Sequence, residues 1–286
     1  MLIKVKTNIS KEEKPQSLQP KYLFLSHFSL LIIASIAMTI NHIGVFFFQD
    51  DTDLVVFLFT VGRVAFPLYA FMAIQGVYRS SNNLEYSLRL IVLGLLIDLV
   101  LYLSGYGYNG NAMFELGLGV LALSLLNRKD GYSFLGLLPA IVMVMSDFSS
   151  FPIRAEYGTY GLILMLGFYY AEKFGGDYID YYSNLTKIDK DYLMKAKLRK
   201  YQNIFSVIAL VIISIVFAVF SMLYPNAFYV NNMMTLHIQD YALFAGVFIF
   251  FYSGRQGIHN AITQGIFYLY YPLHILFLFY LSTLLS

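Results

Sequence analysis

The sequence contains no cysteine and no tryptophan, and only 13% of its 286 residues carry a charge. The first absence excludes disulfides, thiolate nucleophiles and thiolate metal sites. The second leaves 25 tyrosines and 26 phenylalanines to supply any aromatic belt at a membrane interface. Soluble-enzyme signatures are missing too: no phosphate-binding loop ending in Lys-Ser/Thr, no dinucleotide glycine fingerprint and no zincin helix. A formal net charge of +2 gives no basic footprint for nucleic acid, and no metal is expected.

What is abundant is apolar chain. Hydrophobic residues make up 58%, against about half in a soluble domain. The apolar segments run over Tyr22–Phe48, Leu54–Tyr78, Leu84–Leu103, Met113–Leu126, Tyr132–Met145, Tyr157–Ala171, Ile204–Leu223, Met234–Tyr252 and Ile262–Leu285. A membrane-spanning helix needs about 20 apolar residues, and the first three and last three qualify. The middle three are short, with Pro139 inside one of them. They are expected to be tilted, buried in the bundle or re-entrant. The first run is too long for the core of a cleavable signal and reads as a retained helix. The expected fold is therefore all-α, a polytopic transmembrane bundle of about nine to ten helices. Residues 1–21 form a cytoplasmic tail, 22–285 form one membrane unit, and 172–202 form an inner loop whose charge and tyrosine content suggest an interfacial or amphipathic segment.

Lys and Arg orient the bundle. With the N-terminus in the cytoplasm and the segments alternating, all of the 19 Lys and Arg residues except Arg63 and Arg154 fall on the inner side. Cytoplasmic loops carry such an excess, so a multi-pass protein of the cell membrane with a cytoplasmic N-terminus is expected.

Polar residues inside the apolar segments are expensive, about 2.5–3.5 kcal/mol each for a charge at a helix centre. Asn41 and His42 lie toward the outer end of the first segment. Arg63 lies about 13 Å into the second at the helical rise. Asp98 is near the outer end of the third, and Glu115 begins the fourth, where a solvated helix start would explain it. His237 and Asp240 are three apart at the start of the eighth, and His274 is near the middle of the ninth. Most of these share the outer half, which implies a polar cavity there. Arg63 is expected to pair with a carboxylate such as Asp98. His27 and His259, near the inner side, suggest no role, and Gly117 and Gly119 suggest close helix packing.

Several strings resemble one family in order and spacing. They are Ala37-Met-Thr-Ile-Asn-His-Ile-Gly44, then Gly62-Arg-Val-Ala-Phe-Pro-Leu-Tyr-Ala-Phe71, Gly76 and Tyr86-Ser-Leu-Arg-Leu90. Tyr157-Gly-Thr-Tyr-Gly161, Tyr252-Ser-Gly-Arg-Gln-Gly257 and Tyr270-Tyr-Pro-Leu-His274 follow. Together they resemble the TraX family, named for a conjugation protein that acetylates the pilin N-terminus. That family is similar to a wider group of membrane acyltransferases. The resemblance implies transfer of an acetyl group from cytoplasmic acetyl-CoA to a peptide, glycan or lipid acceptor at the outer side. Asn41 departs from the pattern, since the family usually has Asp there. An Asn orients a neighbour by hydrogen bonding and brings no charge.

On this resemblance His42 is the expected base or acyl carrier. Asn41 orients it or donates to an oxyanion, Arg63 holds the thioester carbonyl or an anionic acceptor, and His274 is a second acid/base group or a pore-lining donor. Arg79, Arg89 and Arg255, nearest the inner helix ends, are expected to meet the coenzyme A phosphates. A pantetheine arm of about 15–20 Å reaches about halfway across the ~30 Å hydrocarbon core. Two other functions remain open on the residues alone: a non-catalytic membrane subunit of a pilus, secretion or conjugation assembly, and a small-molecule transporter. An oligomer or a membrane-complex partner is compatible with each.

Overall fold

A computed structural model describes residues 18–48, 52–105, 110–148, 150–223 and 240–285. The regular elements of these residues are all helices, apart from one isolated parallel bridge between Leu25 and Tyr252. Helix α1 covers His27–Phe47, α2 Thr52–Gly62, α3 Ala65–Arg79, α4 Asn83–Leu103 and α5 Ala112–Leu126. A 3-10 turn at Ser133–Gly136 leads into α6, Leu137–Met145. Two long helices follow, α7 at Gly158–Thr186 and α8 at Lys190–Leu223. A second 3-10 turn, Asp240–Phe244, precedes α9, Ala245–Phe250, and α10 spans Ala261–Leu285.

Local chemistry sets several of these boundaries. Ser26, Asn82 and Asn111 each accept a hydrogen bond from the backbone N–H three residues on, capping α1, α4 and α5. Pro67 has no N–H to offer the carbonyl of Arg63, and α2 and α3 meet in a break at Arg63–Val64. Together they form one bent span, Asp53–Arg79.

Five helical stretches are long and apolar enough to cross a membrane: His27–Phe47, Asp53–Arg79, Asn83–Leu103, Lys190–Leu223 and Ile262–Leu285. The protein is a multi-pass helical membrane protein. Helix α4 shows the logic of such a solvent. Its outward side chains, Leu88, Val92, Leu95, Leu96, Leu99 and Leu103, are exposed and apolar. Its buried stripe includes the polar Ser87 and Asp98. Lipid accepts the first set, and only the bundle interior can accommodate the second. Gly117 and Gly119 do serve close packing. A Cβ on either would fall within 2.7 Å of Ile91 or 2.3 Å of Met165.

Two expectations change. Residues 172–202 are not a loop: α7 and α8 run through them as an antiparallel pair, joined by a turn at 187–189. Their charges end the apolar runs at Ala171 and Ile204, yet the helical period continues. Glu172, Gly175 and Ile179 on α7, and Leu193, Ala196, Arg199 and Asn203 on α8, are all buried. The eighth apolar segment is not one continuous helix where it is described, since residues 240–250 form a 3-10 turn and a short helix. His237 lies outside the described residues, as does the side chain of Asp240.

Candidate active site

Two cavities lie along the same helices. The larger, about 470 Å³, opens at the end where α3 finishes and α1, α4 and α10 begin. Its mouth carries Arg79, Ser80, Ser81, Arg89, His27 and His259, and its floor is Leu31, Met72, Met113 and Leu116. Arg79 donates to the Gly254 carbonyl at 3.0 Å and to the Tyr252 hydroxyl. Arg89 is open to solvent, 3.8 Å from Glu85. Arg255 does not line this cavity. Its side chain is exposed, and its carbonyl accepts a hydrogen bond from the His27 N–H at 2.8 Å. His27 and His259, which suggested no role in sequence, are part of the lining.

The smaller cavity, about 20 Å³, is bounded by Met38, Asn41 and His42 of α1, Gly62, Ala65, Phe66 and Tyr69 of the bent span, Ala112, Glu156, Tyr157 and Tyr271. The polar space expected at this end is thus narrow, and the roomier cavity lies at the basic end. His42 Nδ1 stands 2.9 Å from His274 Nε2. His274 Nδ1 is 2.8 Å from the Tyr270 carbonyl oxygen, so it must carry the proton. The Tyr270 ring stacks on His274 at 4.9 Å between centroids, and the Tyr270 hydroxyl meets Thr39 Oγ1.

Asn41 does not orient His42. Its Oδ1 accepts from Arg63 Nη2 at 2.8 Å. Gly62 allows this contact, because a Cβ there would fall 2.4 Å from the Asn41 Cβ. Arg63 is 2% exposed, and Asp98 is not its partner: one Asp98 oxygen is buried without a hydrogen bond, and the residue faces Asn111. Among the described residues, Glu156 is a carboxylate that feels Arg63. Burial pushes its carboxyl above the ordinary value, and the Arg63 guanidinium pulls it back down.

Glu115 is not a solvated helix start. It is 0% exposed and accepts from the Tyr157 N–H. A Cβ at Gly161 would lie 1.7 Å from its Oε1, so this glycine makes room for the carboxyl. Tyr157 in turn stacks on Phe66 with centroids 3.7 Å apart. The Phe66-Pro67 and Tyr157-Gly158 strings therefore meet over one site.

The structure also exposes a buried polar group that composition hid among loop charges. Arg199 donates to Glu172, to Gln75 Oε1 at 2.9 Å and to Asn203 Oδ1 at 2.8 Å. Asn203 donates to the Tyr252 carbonyl at 2.7 Å. The guanidiniums of Arg199 and Arg79 lie 5.2 and 6.0 Å from the centroid of the Tyr252 ring. This network ties α3, α7 and α8 to the connector that shapes the cavity mouth. Only the 3–4 spacing of Leu193, Ala196, Arg199 and Asn203 could have signalled it.

His42, Asn41 and Arg63 come together with His274, across more than 200 residues of chain, at one narrow site. The chain is 27% identical over 269 residues to the "Probable fimbrial assembly protein FimC, serogroup H1" of Dichelobacter nodosus, covering 87% of this chain and 93% of the relative. No solved structure matches the chain. The family model described as TraX protein matches residues 27–183, from the helix that carries His42 to the far end of α7, and on that match the chain belongs to the TraX family.

Proposed function

We propose that the protein is a membrane acyltransferase that moves an acetyl group from acetyl-CoA to an acceptor bound near His42. The observation that carries this reading is the His42–His274–Tyr270 arrangement. With both rings neutral, the Tyr270 carbonyl holds the proton on His274 Nδ1, so His274 Nε2 accepts from His42 Nδ1. His42 is left with its lone pair on Nε2, the state a general base needs.

The larger cavity fits the donor in its chemistry. Arg79, Arg89, Ser80 and Ser81 at the mouth suit phosphates, and the apolar floor suits a pantetheine arm. Bound there, acetyl-CoA supplies an activated thioester. His42 takes the proton from an amine or hydroxyl acceptor as its nitrogen or oxygen bonds to the acyl carbon. As the carbon–sulfur bond breaks, His42 returns that proton to the leaving thiolate. Arg63, held by Asn41, offers a fixed positive charge to the oxyanion. The basic end faces the cytoplasm of the cell membrane in this reading, which supports the N-terminus being inside.

The name of the Dichelobacter nodosus relative favours a second reading, a membrane subunit of a pilus-assembly complex without chemistry of its own. Equilibrium binding of radiolabelled acetyl-CoA to protein in nanodiscs separates the two. Saturable binding, weakened by Arg79→Gln and by Arg89→Gln and retained by His42→Ala, is the expected result. No binding by the wild type would refute the acyltransferase reading.

A further inference from the structure

The two cavities follow one another along three helices. On α1, His27, Phe28 and Leu31 line the larger cavity and Met38, Asn41 and His42 the smaller. On α3 the larger cavity takes Arg79, Gly76, Ala73 and Met72, and the smaller takes Phe66 and Ala65. On α10, Thr263, Gln264, Phe267 and Tyr268 give way to Tyr271. Each set repeats every three or four residues, the spacing of one helix face. The stripe on α1 misses a step at position 35, and the stripe on α3 has Tyr69 at the same level, lining both cavities. Ser35 Oγ and the Tyr69 hydroxyl are 2.9 Å apart, and Ser35 is buried.

We propose that the Ser35–Tyr69 pair is the partition between donor and acceptor compartments. Resting on the acyltransferase reading, the inference is that the thioester end of the donor passes Tyr69 to reach His42, and that the partition restricts the transferable acyl group to a short chain. The lengths agree: ten residues from Arg79 to Tyr69 span about 15 Å at the helical rise. Tyr69 thereby puts the boundary an arm's length from the phosphate-facing arginines. Beyond it only about 20 Å³ is open, which favours acetyl over longer acyl groups. Tyr69 is a specificity-determining residue here and takes no part in proton transfer. A closed partition also keeps water in the larger cavity away from His42 until the arm enters.

The native chain has no cysteine, so one introduced thiol reports access to the site without any need for catalysis. In His42→Cys protein in nanodiscs, the probe is the mixed disulfide of coenzyme A and 2-thiopyridine. The introduced thiolate attacks the coenzyme A sulfur, a protein–coenzyme A disulfide forms, and 2-thiopyridine leaves and is read by absorbance. Adding Tyr69→Ala is expected to speed labelling by about tenfold or more, as removal of a gate does. Ser35→Ala and Tyr69→Phe, which keep the ring and lose only its tether, are expected to give smaller increases. Labelling unchanged by all three variants would overturn the partition. Faster labelling in Tyr69→Ala that free coenzyme A does not slow, and that a small pyridyl disulfide shows equally, would uphold the partition and refute the donor site. With His42 intact, Tyr69→Ala is expected to accept butyryl-CoA alongside acetyl-CoA. A preference for acetyl-CoA unaltered by Tyr69→Ala would overturn the role in chain length.

Discussion

His42 and His274 face each other through Nδ1 and Nε2 at 2.9 Å, although 232 positions separate them in the chain. The tautomer of one dictates the tautomer of the other, because the Tyr270 carbonyl can only accept. On the proposed mechanism His274 positions His42 in the way a triad carboxylate positions its histidine, but without bringing a charge.

That relationship ranks the two histidines. His42→Ala is expected to lower turnover by about 10²–10⁴-fold, the usual contribution of a general base. His274→Ala is expected to cost less, between about tenfold and about a hundredfold. His274→Gln, whose amide oxygen can still accept from His42 Nδ1, should recover part of that loss. Steady-state acetyl transfer measures all three, and equal losses for both alanine variants would contradict the ranking.

Arg63 and Glu156 give a pH dependence with a definite sign. Burial raises the folded Glu156 carboxyl above its ordinary value, so its contribution to stability is lost as pH rises from the ordinary carboxylate range through the raised value. Arg63 opposes that shift. Arg63→Met should therefore destabilise the protein more at about pH 7 than at about pH 4. Adding Glu156→Gln should remove the difference. Thermal unfolding in detergent at the two pH values reads it.

Gly161 faces the Glu115 carboxyl with no room for a methyl group. Gly161→Ala is expected to destabilise by about 1–3 kcal/mol, as overpacking does. In a Glu115→Ala background the same change should cost clearly less, since the two residues touch. Melting temperatures of the four proteins in this cycle would show the coupling.

The Arg199–Glu172 pair is buried, at 9% and 3% side-chain exposure. Arg199→Met alone should cost about 3–5 kcal/mol because it strands a buried carboxylate. Arg199→Met with Glu172→Met should cost less than either single change. Reversible unfolding in mixed micelles tests this. It also asks whether the network holds the cavity mouth, since donor binding should weaken along with stability.

How much of this was legible in sequence follows from what hydropathy and motifs can register. Apolar runs mark lipid contact, so the spans and the polar positions Asn41, His42, Arg63 and His274 stand out against them. Partners across helices leave no such mark. Asp98 and Glu115 are both carboxylates near helix ends, and nothing in their spacing says that the first misses Arg63 or that the second is sealed under Gly161. Glu156 looked like a loop charge because Arg63, Ala112 and Tyr271, which meet it, are far away in the chain. Arg255 sits in a motif, yet what the motif contributes is the Tyr252 ring beside Arg79 and Arg199 and backbone carbonyls that accept from His27 and Phe28. The charged stretch 172–202 read as a loop because charge ends a lipid-facing run without ending a helix.

The most direct measurement is acetyl transfer itself. Purified protein in nanodiscs would be given radiolabelled acetyl-CoA, and thioester cleavage and label transfer followed for the wild type and for His42→Ala. Cleavage by the wild type, lost in the variant while donor binding is retained, is the predicted result. Cleavage that continues unchanged in His42→Ala, or bound acetyl-CoA that the wild type never turns over even with native membrane extract as acceptor, would contradict it.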